Sequence, residues 1–305
     1  MPLHREEDLP LWRSKLILPV NVERFVAKAH TRGADAIVLD LEDSIAPADK
    51  AAARTLLADA VRQCAKGTSD VMVRINQPLR LAVPDIEAAV LPEVCGLVLP
   101  KVDSASHVRL LAEMVDELEA ERGLPAGQIH FALLVETAEA FWRLREIAEA
   151  HPRVVALSIG GEDITLATHS EPVPEVLFGP SQQVVFAARA AGIQPLGMVG
   201  SIANYQDIEG SREAIRRSRR LGFAGASCIH PQMVPLLNEG FGYGAGEIAK
   251  AERIVAAFEK AKAEGRGSAS VDGRMIDIPV VARAERVLRI AARIRARAGG
   301  DEGGA

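Results

Sequence analysis

The chain has 305 residues, with 36 lysines and arginines against 41 aspartates and glutamates, for a formal net charge of −5. That mildly acidic balance argues against nucleic acid or an anionic membrane as the main partner, because neither is drawn to the average surface. No apolar run approaches the roughly 18 residues of a membrane span, the start MPLHREED has no apolar signal region, and Cys64, Cys95 and Cys228 form no C-x-x-C pair, which disfavours disulfides or zinc and suits a reducing cytoplasm.

From the N-terminus onward, short β-branched or leucine-rich runs alternate with longer stretches of helical periodicity. The first pair is a strand over Leu16–Pro19 and a helix over Val22–Thr31 ended by Gly33. The second is Ala36–Leu41 and Pro47–Ala65, with Pro47 suited to a first helical turn. Val71–Asn76 and Asp85–Leu91 follow, then Gly96–Pro100 and Ser104–Arg122, where Ser104 is placed to cap the helix. His130–Val135 leads into Ala138–Ala150, and Val154–Gly160 into a helix over Pro180–Ala191 ended by Gly192. Pro195–Val199 with Asp207–Leu221, and Gly225–Ile229 with Pro231–Asn238, complete the series.

These strands are nearly all apolar (AIVLDL, GLVLP, FALLV) rather than alternating, which implies parallel pairing with helices on the outside. Eight such units predict an α/β fold of the closed (β/α)8 TIM-barrel type over residues 12–240. A doubly wound open sheet is the alternative, although no G-x-G-x-x-G follows the first strand. Beyond it, Gly246–Gly265 reads as a helix, Gly265–Pro279 as a polar loop or hairpin, and Pro279–Ala298 as a last helix. Residues 241–298 therefore form a C-terminal helical extension with a loop or hairpin between its helices, and 299–305 a disordered tail.

In such barrels the chemistry sits where strands end at their C-terminal face. The second strand ends in Asp40-Leu41-Glu42-Asp43, the third carries Arg74 and Asn76, and the fourth ends at Lys101. The fifth ends at Glu136, the sixth runs into Gly160-Gly161-Glu162-Asp163, and the eighth ends at His230. Alternation puts Arg74 and Asn76 on one face, and an arginine pointing into a barrel mouth is costly unless it meets an anion. That anion is a substrate carboxylate or enolate, gripped through paired hydrogen bonds, or simply Glu42 or Asp43.

Glu136 and Asp163, with Glu42 and Asp43 nearby, would repel strongly unless a cation sits among them. All-oxygen ligands select a hard ion, and two carboxylates plus waters fit Mg2+ better than Ca2+. The alternative for Glu136 is a carboxylate favoured by the dipole of the helix it precedes. Lys101 either binds a phosphate or forms a salt bridge outside the pocket. His230 is expected as a satisfied residue of the barrel rim, Lys50 and Arg54 as a solvated helix face, and Trp12 and Trp142 as packing residues.

Taken in order, several segments resemble the citrate lyase β-subunit-like branch of the HpcH/HpaI aldolase family. They are Asp40-Leu41-Glu42-Asp43-Ser44 with Lys50 and Ala53-Arg54, then Arg74-Ile75-Asn76 and Leu99-Pro100-Lys101. Glu136-Thr137, Gly161-Glu162-Asp163, Leu221-Gly222-Phe223 and Ile229-His230-Pro231 continue the series, and the match runs from Arg13 to Asn238. The resemblance implies a Mg2+-dependent lyase that cleaves or forms a carbon–carbon bond between an acyl thioester and a short 2-oxo acid. It implies Glu136 and Asp163 as metal ligands, Glu42 and Asp43 as holders of metal-bound water, and Arg74 as catalytic. Substrate contacts are implied for Arg74, Glu136, Lys101 and Arg13.

Val271-Asp272-Gly273-Arg274-Met275-Ile276-Asp277-Ile278-Pro279 resembles the lid motif of malyl-CoA and citramalyl-CoA lyases. There the matching residue of Asp277 enters a neighbouring subunit's site as an acid/base, and the subunits form trimers or multiples of them. The alternative for Asp277 is a turn carboxylate capping the helix that begins at Pro279. Two departures bear on which substrate is used: Pro19 is followed by Val20-Asn21 rather than glycine, and Leu196–Ser201 contains no aspartate. Rival readings are an aldolase on free 2-oxo acids and aldehydes, which in this family uses a histidine near the second strand end, and a non-catalytic acyl-CoA-binding barrel.

Overall fold

Ile37, Val38 and Leu39 are consecutive and all buried, which requires a sheet covered on both faces. The computed structural model describes residues 2–200 and 205–299, and the chain divides into two units, residues 1–238 and 239–305. The first unit contains β1 (Ser14–Pro19), α1 (Glu23–Ala29), β2 (Ala36–Asp40), α2 (Lys50–Thr55), α3 (Leu57–Cys64), β3 (Asp70–Arg74), α4 (Leu79–Ala89) and β4 (Val94–Leu99). It continues with α5 (Ala105–Glu121), β5 (His130–Val135), α6 (Ala138–Phe141), α7 (Leu144–Ala148), β6 (Val154–Ile159), α8 (Gly161–Ala167), α9 (Pro174–Ala191) and β7 (Gln194–Leu196). α10 (Ile208–Leu221), β8 (Ala226–Cys228) and α11 (Met233–Gly240) complete it.

The strands form one parallel eight-stranded sheet in the order β7-β6-β5-β4-β3-β2-β1-β8. A parallel bridge from Leu196 to Gly225, with Gly197 N donating to Gly225 O at 2.8 Å, joins β7 to β8 and closes the barrel. Gly225 is required here, because a Cβ would lie 1.9 Å from the carbonyl oxygen of Trp12. Inside, Val38, Met72, Val98, Ala132, Ala156 and Leu196 form the apolar core, with Trp12 and Leu9 packed against it. Trp12 donates from Nε1 to Asp70 Oδ2 at 2.6 Å, at the N-terminal ends of the strands.

The helices depart from expectation where local breakers were weighed against tertiary packing. Pro47–Ala65 is not one helix but a 3-10 turn followed by α2 and α3, separated at Leu56, whose N–H bonds back to Ala53 O. Ala138–Ala150 likewise splits into α6 and α7. Conversely, α4 and α9 start before the expected positions and run through Pro84 and Pro180, because Ala82 and Ile86, and Leu177 and Val184, bury the faces on either side of each proline. α8 was not foreseen at all. Ser104 caps α5 by accepting from His107 N at 3.2 Å, and Gly192 ends α9 in the left-handed region.

The second unit contains α12 (Ala245–Ala263), β9 (Ala269–Val271), β10 (Arg274–Ile276) and α13 (Ile278–Gly299). β9 and β10 form an antiparallel hairpin turned by Asp272 and Gly273, both at positive φ, as a tight two-residue turn requires. Ala251, Ile254, Ile276, Val281 and Ala284 form a core of its own. Of the expected disordered tail, residues 300–305 lie outside the described residues. No helix among the described residues is long and apolar enough to cross a membrane.

Candidate active site

Parallel register sets the site. Asp40 ends β2 directly beside Arg74 at the end of β3. Arg74 donates from Nε to Asp40 Oδ1 at 2.6 Å and from Nη2 to Asp40 Oδ2 at 2.7 Å. Asp40 is buried and also accepts from Glu42 N, Ser44 N and Ser44 Oγ. Burial pushes its carboxyl up, but Arg74 and these donors together hold it below the usual range. The arginine's third nitrogen, Nη1, lies 3.1 Å from Glu42 Oε2 and 3.9 Å from Asp43 Oδ2. Asp40 is thus the carboxylate that fixes Arg74, a role the sequence reading gave only to Glu42 or Asp43.

Lys101 follows β4 in the left-handed region, with φ of +48°, a conformation a lysine adopts at a cost. That turn aims its backbone N–H at Glu136 Oε1, 2.8 Å away, while Nζ bridges Glu42 and Asp43. Lys101 therefore salt-bridges within the mouth rather than outside it. Burial drives the Glu42 carboxyl up, with Lys101 and Arg74 opposing. Glu42 Oε2 is buried without a hydrogen bond, its contact with Arg74 Nη1 being an ion pair.

Glu136 follows β5 and is 4% exposed. Its carboxyl is pushed up to about 8, first by burial and then by the charge of Asp163. Asp163 stands in the first turn of α8, immediately after β6. Both line a cavity of about 130 Å3 at the C-terminal strand ends, together with Arg74, Gly160, Met198 and Ser227. Gly160 permits this packing: a Cβ there would come within 2.4 Å of Glu136 Oε2. Among the described residues no cluster of three or more His, Cys, Asp or Glu side chains could hold a metal ion. The cavity is lined by three carboxylate residues, Glu136, Glu162 and Asp163. Glu136, pushed up to about 8 first by burial and then by the charge of Asp163, forms with Asp163 an all-oxygen pair that fits a hard divalent cation, with water or ligand oxygens completing its shell.

Behind this mouth lies a buried network that the sequence reading took for solvent-facing residues. Lys50 Nζ donates to Leu41 O, Glu42 O and Asn76 Oδ1, at 3.1, 2.9 and 2.6 Å. Arg54 pairs with the buried Asp85, which also accepts from Asn76 N and Nδ2. Lys50 and Arg54 therefore hold the loop bearing Glu42 and Asp43 from behind.

Other expectations are corrected. Arg13 is not brought to the mouth: it precedes β1 and grips Asp35, which precedes β2, through two bonds of 2.8 Å, at the opposite end of the barrel. His230 is not a core residue but a half-exposed ring stacked on Tyr205, with centroids 4.6 Å apart. Trp142 does not pack inside, being 84% exposed. Asp277 accepts from Val280 N at 3.3 Å and caps α13.

The family model described as HpcH/HpaI aldolase/citrate lyase matches residues 13–231, the stretch that contains all of these strand-end groups except Asp277. The chain belongs to that family. Citrate lyase subunit beta of Leuconostoc mesenteroides subsp. cremoris is 35% identical to it, covering 92% of this chain and 93% of the relative. L-malyl-CoA/beta-methylmalyl-CoA lyase of Cereibacter sphaeroides is 31% identical over 93% of this chain and 96% of its own length. Protein CitE of Mycobacterium tuberculosis, solved with magnesium, acetoacetate and coenzyme A, superposes with a TM-score of 0.73 at 29% identity, over 92% of this chain and 97% of that one. As a member of this family the protein is a carbon–carbon lyase with the parallel barrel of its structural neighbours.

Proposed function

We propose that the chain cleaves, or forms, a 3-hydroxyacyl-CoA such as malyl-CoA or citramalyl-CoA, giving an acyl-CoA and a short 2-oxo acid. The observation that carries this reading is the convergence of Glu136, Asp163 and Arg74 on one small cavity. Glu136 and Asp163 would hold Mg2+, which when bound supplies Lewis-acid polarisation of the oxygens of the 2-oxo acid portion. Magnesium complexes of solved relatives, one with oxaloacetate, support the same choice of ion.

The chain's own residues do the rest. Carbon–carbon cleavage leaves negative charge on the thioester oxygen as an enolate. Arg74, locked by Asp40 and permanently charged, presents its remaining N–H groups to the cavity as a preorganised stabiliser of that charge. Glu42 and Asp43, steadied by Lys101, would orient water at the cation. Asp277, supplied by a neighbouring subunit of a trimer or a multiple of one, handles the proton at the enolate carbon. Substrate contacts fall to Arg74, Glu136 and Lys101. The free thiols Cys64, Cys95 and Cys228 are consistent with a cytoplasmic setting.

The deciding experiment offers a panel of 3-hydroxyacyl-CoA thioesters with Mg2+ and scores release of glyoxylate, pyruvate or oxaloacetate. Cleavage of the corresponding acids without the CoA moiety would instead favour an aldolase on free 2-oxo acids. No Mg2+-dependent turnover on any thioester would favour a binding barrel.

A further inference from the structure

The charged groups account for only part of the cavity wall. Arg74 stands on β3, Glu136 follows β5, and Glu162 and Asp163 follow β6. The remaining arc comes from β7, β8 and β1, which are neighbours at the seam of the barrel. It presents Ile17, Leu196, Met198 and Ala226 to the cavity, with Ser227 as its one polar side chain among the described residues. Residues 201–204, next in the chain after this arc's last glycine, read Ser-Ile-Ala-Asn and carry no charge. Lys15, two residues before Ile17 in β1, is 2% exposed and is not part of the wall. Arg74 is therefore the single cation among the described residues that line the cavity.

The reaction at the mouth gives this arc a task. In a 3-hydroxyacyl-CoA the carbon that becomes the 2-oxo carbon bears four substituents. Its hydroxyl and carboxylate belong with the cation of Glu136 and Asp163, and the arm to the thioester belongs with Arg74. The fourth substituent is left facing β7, β8 and β1. It is hydrogen in malyl-CoA, methyl in citramalyl-CoA and carboxymethyl in citryl-CoA. Hydrogen leaves the apolar wall unfilled, whereas a methyl is buried against it. A second carboxylate would be buried there with no cation to meet it, in a cavity that already holds three acids. The wall has little room to retreat. Leu196 belongs to the apolar core, and at Gly197 a Cβ would lie 2.9 Å from Cε1 of Phe223.

We propose that Ile17, Leu196 and Met198 read this fourth substituent, selecting a methyl group and rejecting a second carboxylate. This rests on the reading that a 3-hydroxyacyl thioester is cleaved at the mouth. The preferred product acid is then monocarboxylic, with one methyl on its carbonyl carbon. Citramalyl-CoA should exceed malyl-CoA in kcat/KM by about 10-fold or more, the discrimination one well-packed carbon provides. It should exceed citryl-CoA by roughly 100-fold or more, because the extra charge is buried unpaired. Met198, half-buried just after β7, is the wall position from which a longer, charged side chain could answer that carboxylate.

The test measures kcat/KM for citramalyl-, malyl- and citryl-CoA on the full chain at one free Mg2+ concentration. Calorimetry with pyruvate, glyoxylate and oxaloacetate ranks the product acids without any turnover. The expected result is citramalyl-CoA first and citryl-CoA last, with pyruvate the tightest-bound acid. Met198→Lys brings an ammonium to the wall and should raise the citryl-to-citramalyl ratio by about 10-fold or more. Met198→Leu should keep the wild-type order. Citryl-CoA cleaved as well as citramalyl-CoA, or oxaloacetate bound as tightly as pyruvate, overturns the selectivity and leaves the lyase reading intact. Malyl-CoA in first place does the same. An unchanged ratio in folded Met198→Lys overturns the assignment of Met198. No turnover of any thioester, with no binding of any acid, overturns both readings. The wild-type ranking decides the proposal even if Met198→Lys does not fold.

Discussion

Asp40 and Arg74 face one another across the β2–β3 register, joined by two hydrogen bonds of 2.6 and 2.7 Å. The arginine is therefore both a candidate catalytic group and the counter-ion of a buried carboxylate. Arg74→Ala is expected to lower kcat/KM by about 100- to 1000-fold. It should also destabilise the fold by roughly 3–5 kcal/mol, because Asp40 is left charged and unpaired. Adding Asp40→Asn should recover much of the stability and none of the rate, which denaturation and turnover measurements on the pair will separate.

Glu136→Gln tests the cation site. The wild-type chain should gain about 2.7 kcal/mol when Mg2+ reaches 100 times its Kd. The variant should gain almost nothing over the same titration. Thermal unfolding with increasing Mg2+, followed by chelation to reverse the shift, gives the comparison.

Gly160→Ala separates site from scaffold. The added methyl meets the Glu136 carboxylate, which can move, and the Glu136 Cβ at 3.0 Å, but no backbone atom. Mg2+ affinity should fall by about 10- to 100-fold with little change in unfolding midpoint. Gly225→Ala is the contrast, since its methyl meets the Trp12 carbonyl. That variant should lose several kcal/mol (roughly 3 or more) from backbone strain at the barrel seam, read by chemical denaturation.

Lys15 predicts a pH dependence. Its folded pKa is depressed from 10.5 to about 8, so the folded state disfavours the charged form. The penalty is absent above 10.5, where the amine is neutral folded or unfolded, and grows as pH falls toward 8. Lys15→Met should therefore exceed wild type by about 3 kcal/mol near pH 7, with the gap closing toward pH 10.5. Urea midpoints for both proteins across that range check the sign.

Arg13→Ala should affect stability alone. The side chain ties the starts of β1 and β2 together through Asp35, far from the mouth. KM for any thioester substrate should stay unchanged while the unfolding midpoint drops.

The barrel was legible because parallel strands buried on two faces leave a pattern that hardly any other element imitates, as in Ala36–Asp40 and Val154–Ile159. Helix limits were less so. Pro84 and Pro180 look like stops, yet the buried faces around them outweigh the lost hydrogen bonds. Strand-end placement was enough to expect Glu136, Asp163 and Arg74 at one mouth, and all three line the same cavity. Lys50 and Arg54 were misread because four-residue spacing on a helix says nothing about which face is covered. The available clue was Asp85 in an otherwise apolar stretch, a buried acid that needs a partner. Arg13 was misplaced because proximity in sequence to a strand does not say at which end of the barrel its side chain lies. Lys15 could have been found from alternation alone, as a charged residue inside the run SKLILP.

The five-residue core shared by α12, the β9–β10 hairpin and α13 governs how the C-terminal segment can be edited. A cut between Ala263 and Ala269 would strip Ile254 of Ile276 and Val281, leaving an oily ridge prone to self-association. Truncations meant to probe Asp277 therefore need to end before Ala245, whereas the point variant Asp277→Ala removes its carboxylate and the α13 cap and leaves this core in place.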